Sequence, residues 1–325
     1  MSEWQDVAAR VRNWGRWGPD DELGTLNFVT SDKILEAARL VRRGRVIPLG
    51  IPLDAYGPQT VGFRTNPLHV MTMVGANEEV AEHIAGFGGA NEARLVEQIR
   101  SGPGRYNDDY LAMFLQAGTQ LDAFSHFYYD GQLYNGFPAS CVTALGATRD
   151  GVEKIARAGQ IVSRGVLLDV ARQRNVCYLD PKVVIYPEEL DAVAEAERVV
   201  VGSGDVVIVR TGWWPRFVAD REDKSWRAAW AGLSWRCAEW FHERQVAAVA
   251  ADNIAVEAST VEEGIWNLFH MLALRDMGMP LGEIFDLEQL SEDCAEDRVY
   301  DFQLIAQPLQ VTGAVASPLH PLAIK

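Results

Sequence analysis

Several common sequence signatures are missing from this chain, and each absence removes a class of protein. No apolar run approaches the ~20 residues that a membrane-spanning helix needs, so we expect no association with a membrane. Basic residues are few: 30 Lys and Arg face 45 Asp and Glu, and the net charge of −15 argues against binding to nucleic acid or anionic membranes. Walker A, Gly-x-Gly-x-x-Gly and Gly-x-Ser-x-Gly motifs are also absent, so neither a nucleotide-binding fold nor a serine hydrolase is indicated.

Cysteine is scarce and shows no pairing pattern. The four cysteines are Cys141, Cys177, Cys237 and Cys294. They are far apart and form no Cys-x-x-Cys pair, which is typical of reduced thiols in a reducing compartment. The first residues, Met1-Ser-Glu-Trp-Gln-Asp6, lack the basic and then apolar pattern of a secretory signal. We therefore expect a cytoplasmic protein.

What is present is enough apolar sequence for a large core, since 48% of the 325 residues are hydrophobic. Predicted strands alternate with predicted helices from 165 to 306, which indicates an α/β fold. We assign residues 1–44 to an N-terminal arm and helix, with residues 1–30 irregular, and residues 45–325 to one catalytic domain. The glycine-rich residues 57–104 show weak periodicity and predict a long active-site loop or flap.

Local patterns place the individual elements. Apolar and β-branched runs predict strands at 46–53, 110–115, 165–170, 204–210, 246–251 and 302–306. Capping residues and apolar stripes predict helices at 31–43, 152–158, 187–197, 225–244 with a break at Gly232, and 265–276.

Polar side chains cluster in the segment Gln116-Ala-Gly-Thr-Gln-Leu-Asp-Ala-Phe-Ser-His126, at the end of a predicted strand. Residues two apart on a strand point to one face, so Gln116, Gln120 and Asp122 should share a face if the strand continues this far, joined by His126 if the alternation continues. Asp122 can ligate a divalent metal, orient a histidine or cap a turn. His126 can be a ligand, a general base or a packed structural histidine. The two glutamines can supply hard oxygen ligands or simply bond to backbone.

Other polar residues stand at positions where sites are common. His270 lies in an apolar helix and Glu283 follows a Gly-Met-Pro-Leu-Gly loop, and each taken alone is better explained by a structural role than by catalysis. Asp252 ends an apolar strand, where it can contact substrate or position a loop. Arg64 and His69 can contact an acidic group of a substrate, or lie exposed.

Aromatic residues are numerous enough to line a pocket for a flat, partly apolar molecule. Tyr128 stands directly after the polar segment and is a candidate substrate contact. The tryptophans Trp14, Trp17, Trp213 and Trp214, together with Phe127, can serve the same pocket or belong to the core.

The polar segment resembles the metal-binding signature of the Putative cyclase family, which includes bacterial kynurenine formamidase and isatin hydrolase. That signature is His-x-Gly-Thr-His-x-Asp-x-Pro-x-His. The residues that match it are Gly118, Thr119, Asp122 and His126, whereas Gln116 and Gln120 replace two histidines and Phe124 replaces the proline.

The resemblance extends over roughly residues 45–310. His270 and Glu283 match a downstream histidine and glutamate, one residue further apart than is usual, and Asp252 falls where the family has a strand-ending aspartate. The segment from Gly202 to Trp213 resembles the family's Gly-Asp-x-(apolar)-Arg-Thr-Gly-Trp strand. Tyr129-Asp-Gly-Gln-Leu-Tyr-Asn-Gly136 resembles a branch in which glutamines replace the two histidines.

Membership would imply a swivelling β/β/α fold with a mixed sheet, assembly as a homodimer or higher homo-oligomer, and hydrolysis of a small amide, formamide or lactone at one or two divalent metals. The implied ligands are Gln116, Gln120, Asp122 and His270, with His126 and Glu283 catalytic. The expected cofactor is Mn, with Zn or Mg as alternatives; the loss of two nitrogen donors also leaves open a site without metal.

Three functions therefore remain open from the sequence. The first is a metal-dependent hydrolase that cleaves a C–N or C–O bond with activated water. The second is a cyclase or lyase of aromatic or polyketide-type metabolism, in which His126 moves a proton. The third is a non-catalytic protein that binds a small molecule.

Overall fold

The computed structural model describes residues 2–59, 64–75, 92–105, 107–159, 161–222 and 225–325. The chain divides into two compact units, one formed by residues 1–52 and 118–325 and the other by residues 53–117.

The larger unit is built on a nine-stranded mixed sheet in the order β1-β15-β13-β7-β9-β11-β12-β4-β14. Strands β7, β9, β11 and β12 are parallel, and the remaining pairings of this sheet are antiparallel. The sheet strands are β1 (Val46–Pro48), β4 (Gln120–Asp122), β7 (Val162–Leu168), β9 (Val206–Val209), β11 (Ala248–Ala251), β12 (Leu281–Glu283), β13 (Asp301–Ile305), β14 (Ala316–Pro318) and β15 (Leu322–Ile324). The predicted α/β fold is confirmed.

Helices and short two-stranded ribbons complete this unit. The α-helices are α1 (Glu3–Val11), α2 (Ser31–Ala38), α4 (Val152–Ala158), α5 (Val170–Gln173), α6 (Pro187–Glu197), α7 (Trp213–Ala219), α8 (Ser225–Ala228), α9 (Cys237–Glu243), α10 (Leu268–His270) and α11 (Glu288–Asp297). The ribbons are β5 (Val142–Thr143) with β6 (Gly146–Ala147), and β8 (Val184–Ile185) with β10 (Gly232–Leu233).

Local sequence explains the elements that were predicted correctly. All four residues of β9 are buried, as expected for a β-branched strand in the middle of a sheet. Helix α6 begins with Pro187 and carries two acids in its first turn, both of which suit a helix N-terminus. Helix α4 has its predicted bounds and is followed by Gly159, which adopts the left-handed conformation that favours glycine.

The prediction that residues 1–30 are irregular is wrong in part. Residues Glu3–Val11 form α1, which buries Val7, Ala8 and Val11. Its N-terminus is stabilised because the Gln5 side chain accepts the Ser2 backbone N–H at 3.0 Å. A 3₁₀ turn covers Gly24–Phe28. Apolar spacing along α1 was the available signal.

Two other predictions also need correction. Helix α2 ends at Ala38 and not at residue 43. The helix predicted over 265–276 is divided into the single turn α10 and a π-helix at Met271–Met277, immediately after His270. Wide turns of this kind are frequent at functional sites.

The smaller unit contains regular structure where a loop was predicted. Strand β2 (Leu68–Val74) pairs antiparallel with β3 (Asn107–Ala112), and helix α3 spans Glu92–Ser101. The long-loop prediction is therefore wrong for β2 and α3, whereas β3 overlaps the strand predicted at 110–115. Residues 86–89, part of the glycine-rich stretch, lie outside the described residues.

Across the described ranges, no helix combines the length and apolarity needed to cross a bilayer.

Candidate metal centre and active site

Strand β4 carries the two central side chains of the site. It lies between β12 and β14, and antiparallel pairing places Gln120 opposite Glu283 and Asp122 opposite Leu281. Directly opposed residues share a face of the sheet, and so do residues two apart. Gln120, Asp122 and Glu283 therefore point to one side, and all three are buried.

His270 completes a group of three buried metal-ligating residues. Its Nε2 lies 3.3 Å from Glu283 Oε1 and 3.9 Å from Asp122 Oδ2. Ligand atoms of Asp122, His270 and Glu283 all lie within 4.8 Å of one another. The Gln120 amide Nε2 donates to Glu283 Oε2 at 2.5 Å, and its Oε1 is buried without a hydrogen-bond partner among the described residues.

His126 stands at the edge of this group. The chain leaves β4 through a turn in which the His126 N–H donates to the Ala123 carbonyl at 2.9 Å. The imidazole Nε2 then lies 3.9 Å from Asp122 Oδ1, and the side chain is 20% exposed, whereas that of Asp122 is fully buried. His126 is thus placed between the buried carboxylates and the solvent.

Thr119 holds the backbone next to Glu283 by hydrogen bonds. Its hydroxyl donates to the Ile284 carbonyl at 2.5 Å and accepts the Ile51 N–H at 2.9 Å. Ile284 has a φ of 58°, which is strained for a β-branched residue. The threonine of the signature therefore fixes the backbone directly after Glu283.

Glu257 contacts the buried group and was not among the candidates from the sequence. It is buried, and its Oε1 bonds to His270 Nδ1. Burial by itself lowers the pKa of His270, but its hydrogen bonds to Glu257 and Glu283 raise that pKa to about 10. The only available signal was a carboxylate six residues after the end of β11.

Comparison with known proteins assigns the chain to a family. Residues 40–258 match the profile of the Putative cyclase family. The chain belongs to that family. No curated protein matches the chain.

Solved structures agree with this assignment. A crystal structure described as a novel cyclase has 35% sequence identity and a TM-score of 0.83, with 98% of this chain and 99% of that chain covered. Isatin hydrolase A from Labrenzia aggregata, bound to benzyl benzoate, has 18% identity and a TM-score of 0.58, covering 90% and 97%. A predicted metal-dependent hydrolase from Bacillus stearothermophilus has 13% identity and a TM-score of 0.51, covering 86% and 97%. The last two likenesses are of fold.

The buried group of Asp122, His270 and Glu283 does not include every residue that the sequence predicted for the site. Asp252 is fully buried, and its carboxylate accepts the N–H and hydroxyl of Thr211 and the Gly212 N–H at 2.6–2.8 Å. Burial raises the pKa of Asp252 to about 6, although these hydrogen bonds act to lower it. Its contacts join the ends of β9 and β11, and a substrate contact stays a prediction.

Three further candidates belong to the smaller unit. His69 Nε2 lies 2.8 Å from Asp109 Oδ2 across the β2–β3 pair. Gln116 lies in a turn outside any strand, and its backbone carbonyl accepts a hydrogen bond from the Gln59 side chain at 3.3 Å. The strand does not extend back to Gln116, so the expected alternation applies to Gln120 and Asp122 alone. Arg64 is half-buried, and the roles of these residues stay predictions.

Aromatic side chains lie beside His270 of the buried group. The Phe127 ring contacts both His270 and Trp266, with centroid separations of 5.8 and 5.7 Å. Trp266 and Tyr128 are exposed. By contrast, Trp213 and Trp214 are buried in a separate aromatic core with Phe217 and Trp226, so they belong to the core.

Proposed function

We propose that this member of the cyclase family is a metal-dependent hydrolase that cleaves a C–N or C–O bond of a small cyclic amide, formamide or lactone. One observation carries the proposal. The carboxylates of Asp122 and Glu283 and the Nε2 of His270 meet in a buried group, and His126 stands next to it with its ring partly open to solvent.

The residues present suit a divalent cation. Asp122, Glu257 and Glu283 are three buried carboxylates around one histidine, and buried charge of one sign requires a counter-charge. The Gln120 Oε1 adds a neutral oxygen that has no partner among the described residues. Two carboxylates, one carboxamide and one imidazole form a mostly oxygen donor set, which favours Mn or Mg over Zn. Asp122, Glu283, His270 and Gln120 would hold the ion.

The chemistry then divides between the ion and the chain. A bound divalent metal polarises a carbonyl and lowers the pKa of water. His126 Nε2 accepts the proton of the attacking water and returns it to the leaving nitrogen or oxygen. Asp122 Oδ1 lies 3.9 Å from that nitrogen, so its negative charge faces the imidazolium that arises between these two transfers. The buried carboxylates keep their positions because β4 and β12 are paired.

Two variants test the proposal. Asp122→Asn should abolish stoichiometric metal binding, measured by elemental analysis of the purified protein. His126→Gln should retain the metal but lower the turnover number by about 10²–10⁴-fold, the usual contribution of a general base. His242→Gln, on helix α9, is the matched control and should leave both values unchanged.

A panel of aryl amides, formamides and lactones, assayed in H₂¹⁸O, identifies the reaction type. Incorporation of ¹⁸O into the acid product supports hydrolysis. Turnover without incorporation would favour a cyclase or lyase, and a metal-free protein that only binds these compounds would overturn the proposal of an enzyme.

The finer details belong to the same proposal. We infer Mn as the metal, a homodimer, and a flat substrate contacted by Tyr128. The exposed Trp266 and Tyr128 near Phe127 support an aromatic substrate. Metal analysis, light scattering and Tyr128→Ala kinetics test these points separately.

A further inference from the structure

We infer that Glu257 is the positioning residue of His270, holding its imidazole so that Nε2 faces the metal-binding group. The inference rests on the proposed function, because it assigns His270 Nε2 as a ligand. Glu257 itself is not placed among the ligands: its contacts are with the opposite side of the histidine ring.

The two ring nitrogens of His270 have different neighbours. Nδ1 bonds to Glu257 Oε1, while Nε2 lies 3.3 Å from Glu283 and 3.9 Å from Asp122. A carboxylate accepts hydrogen bonds and does not donate them, so Glu257 requires the proton on Nδ1. When the ring is neutral, as in a metal ligand, the lone pair is therefore on Nε2, which faces Asp122 and Glu283.

Glu257 is itself held in place by the backbone of the histidine helix. Its Oε1 accepts the His270 N–H and its Oε2 accepts the Phe269 N–H, each at 3.0 Å. These are N–H groups of the first turn of α10, which have no partner within the helix. One carboxylate therefore fixes both the backbone and the ring of His270, and the ring cannot rotate without breaking these contacts.

The loop that presents Glu257 is strained next to the residue. Val256 has a φ of 59°, an unfavourable value for a β-branched side chain. The Asn253 carboxamide holds this conformation: Oδ1 accepts the Val256 N–H at 2.6 Å, and Nδ2 donates to the Val256 carbonyl at 3.2 Å. Asn253 also accepts the Ile284 N–H through its own carbonyl at 2.9 Å.

Two β-branched residues with positive φ therefore stand next to the two glutamates. Val256 precedes Glu257, Ile284 follows Glu283, and Asn253 bonds to both strained residues. Strained backbone persists where the surrounding structure holds it, and it clusters at functional sites. A glutamate that only capped a three-residue helix would not require this arrangement. The pattern therefore favours a role for Glu257 in the site.

Glu257→Gln separates positioning from capping. The glutamine oxygen can still accept a backbone N–H, but its amide can donate to Nδ1 and so favour the proton on Nε2, where it blocks metal binding. We expect the Kd for Mn²⁺, measured by calorimetry, to rise about 10–100-fold. Glu257→Asp keeps the charge and should lose less affinity than Glu257→Gln.

The matched control is Glu262→Gln. Glu262 lies on the same loop but bonds to Ser234 and the Trp235 N–H, not to His270. The Glu262→Gln variant should leave the Kd for Mn²⁺ unchanged.

A second readout does not depend on the metal. Proton NMR of the metal-free protein should show a downfield ring N–H resonance from the Nδ1–carboxylate bond, identified by its loss in His270→Gln. The resonance should disappear in Glu257→Gln and persist in Glu262→Gln. If the wild-type protein lacks it, the positioning role is overturned even where Glu257→Gln does not fold.

The two readouts distinguish the possible failures. Mn²⁺ binding that Glu257→Gln leaves within twofold would overturn the positioning role. Loss of the resonance in Glu257→Gln, in a wild-type protein that binds no Mn²⁺, would support the positioning role and instead overturn the proposed metal chemistry.

Discussion

Replacing Asp150 with asparagine should stabilise the protein, and the gain should grow as the pH rises. Asp150 is 1% exposed, and neither carboxylate oxygen has a hydrogen-bond partner among the described residues. Burial, together with the nearby negative charges of Glu22 and Asp21, raises its pKa to about 9. The folded protein therefore holds Asp150 as a neutral acid at pH 7.

The sign follows from the two pKa values. In the unfolded chain Asp150 ionises near its ordinary pKa of 3.8, and in the folded chain near 9. A pKa that is raised by folding contributes stability below pH 4, and that stability is lost as the pH rises to about 9. The slope is at most about 1.4 kcal/mol per pH unit, or ~1–3 kcal/mol between pH 6 and pH 8. Asparagine cannot ionise and removes this loss.

Urea unfolding at pH 6, 7 and 8 measures the effect. Asp150 has a φ of 59°, and asparagine tolerates that conformation well. Asp130 has a φ of 52° but is exposed, so Asp130→Asn is a control with the same chemical change and similar backbone. A difference in unfolding free energy between Asp150→Asn and wild type that stays constant from pH 6 to pH 8 would refute the reasoning.

Two further predictions concern packing around the site and the sheet. Thr119→Val should lower the unfolding free energy by about 1–3 kcal/mol, because it leaves the Ile284 carbonyl and the Ile51 N–H unpaired. Thr143→Val, at an exposed position, is the control. Equal urea midpoints for Thr119→Val and the wild-type protein would contradict the assignment. Gly165→Ala should lower the unfolding free energy by about 1–3 kcal/mol, and with it the thermal midpoint, because an added Cβ would lie 2.4 Å from Cε2 of the buried Phe302. Gly104→Ala is the control: the added atom meets open space, so the thermal midpoint should change little.

The sequence predicted those parts of the fold that depend on local pattern. Helix α6 was found because proline and acidic residues mark its start. Helix α1 was missed because tryptophan and glycine in the residues that follow suggested an irregular arm. The three-residue strand β4 was not predicted as a separate element. Its residues form a strand because they pair with β12 on one side and β14 on the other. Such pairing between distant segments leaves little trace in local sequence.

The same distinction holds for the site. Asp122, His270 and Glu283 were candidates because their residue types and the family signature pointed to them, and the structure brings them together. Glu257 gave no such signal, because its contacts depend on how the loop after β11 folds back onto α10. Gln116 was expected on the same strand face as Asp122, but a turn separates it from β4.

The pairing of β4 with late strands has a consequence for synthesis in the cell. Leu121 pairs with Gly282 on one side and with Ser317 on the other. The strand that carries Asp122 therefore stays without neighbours on the ribosome until almost all of the described chain has emerged. Pairings between such distant segments form slowly. The proposed ligands Asp122 and Glu283 would thus come together late in synthesis, and a chain truncated before β14 would leave β4 at the edge of the sheet, paired with β12 alone.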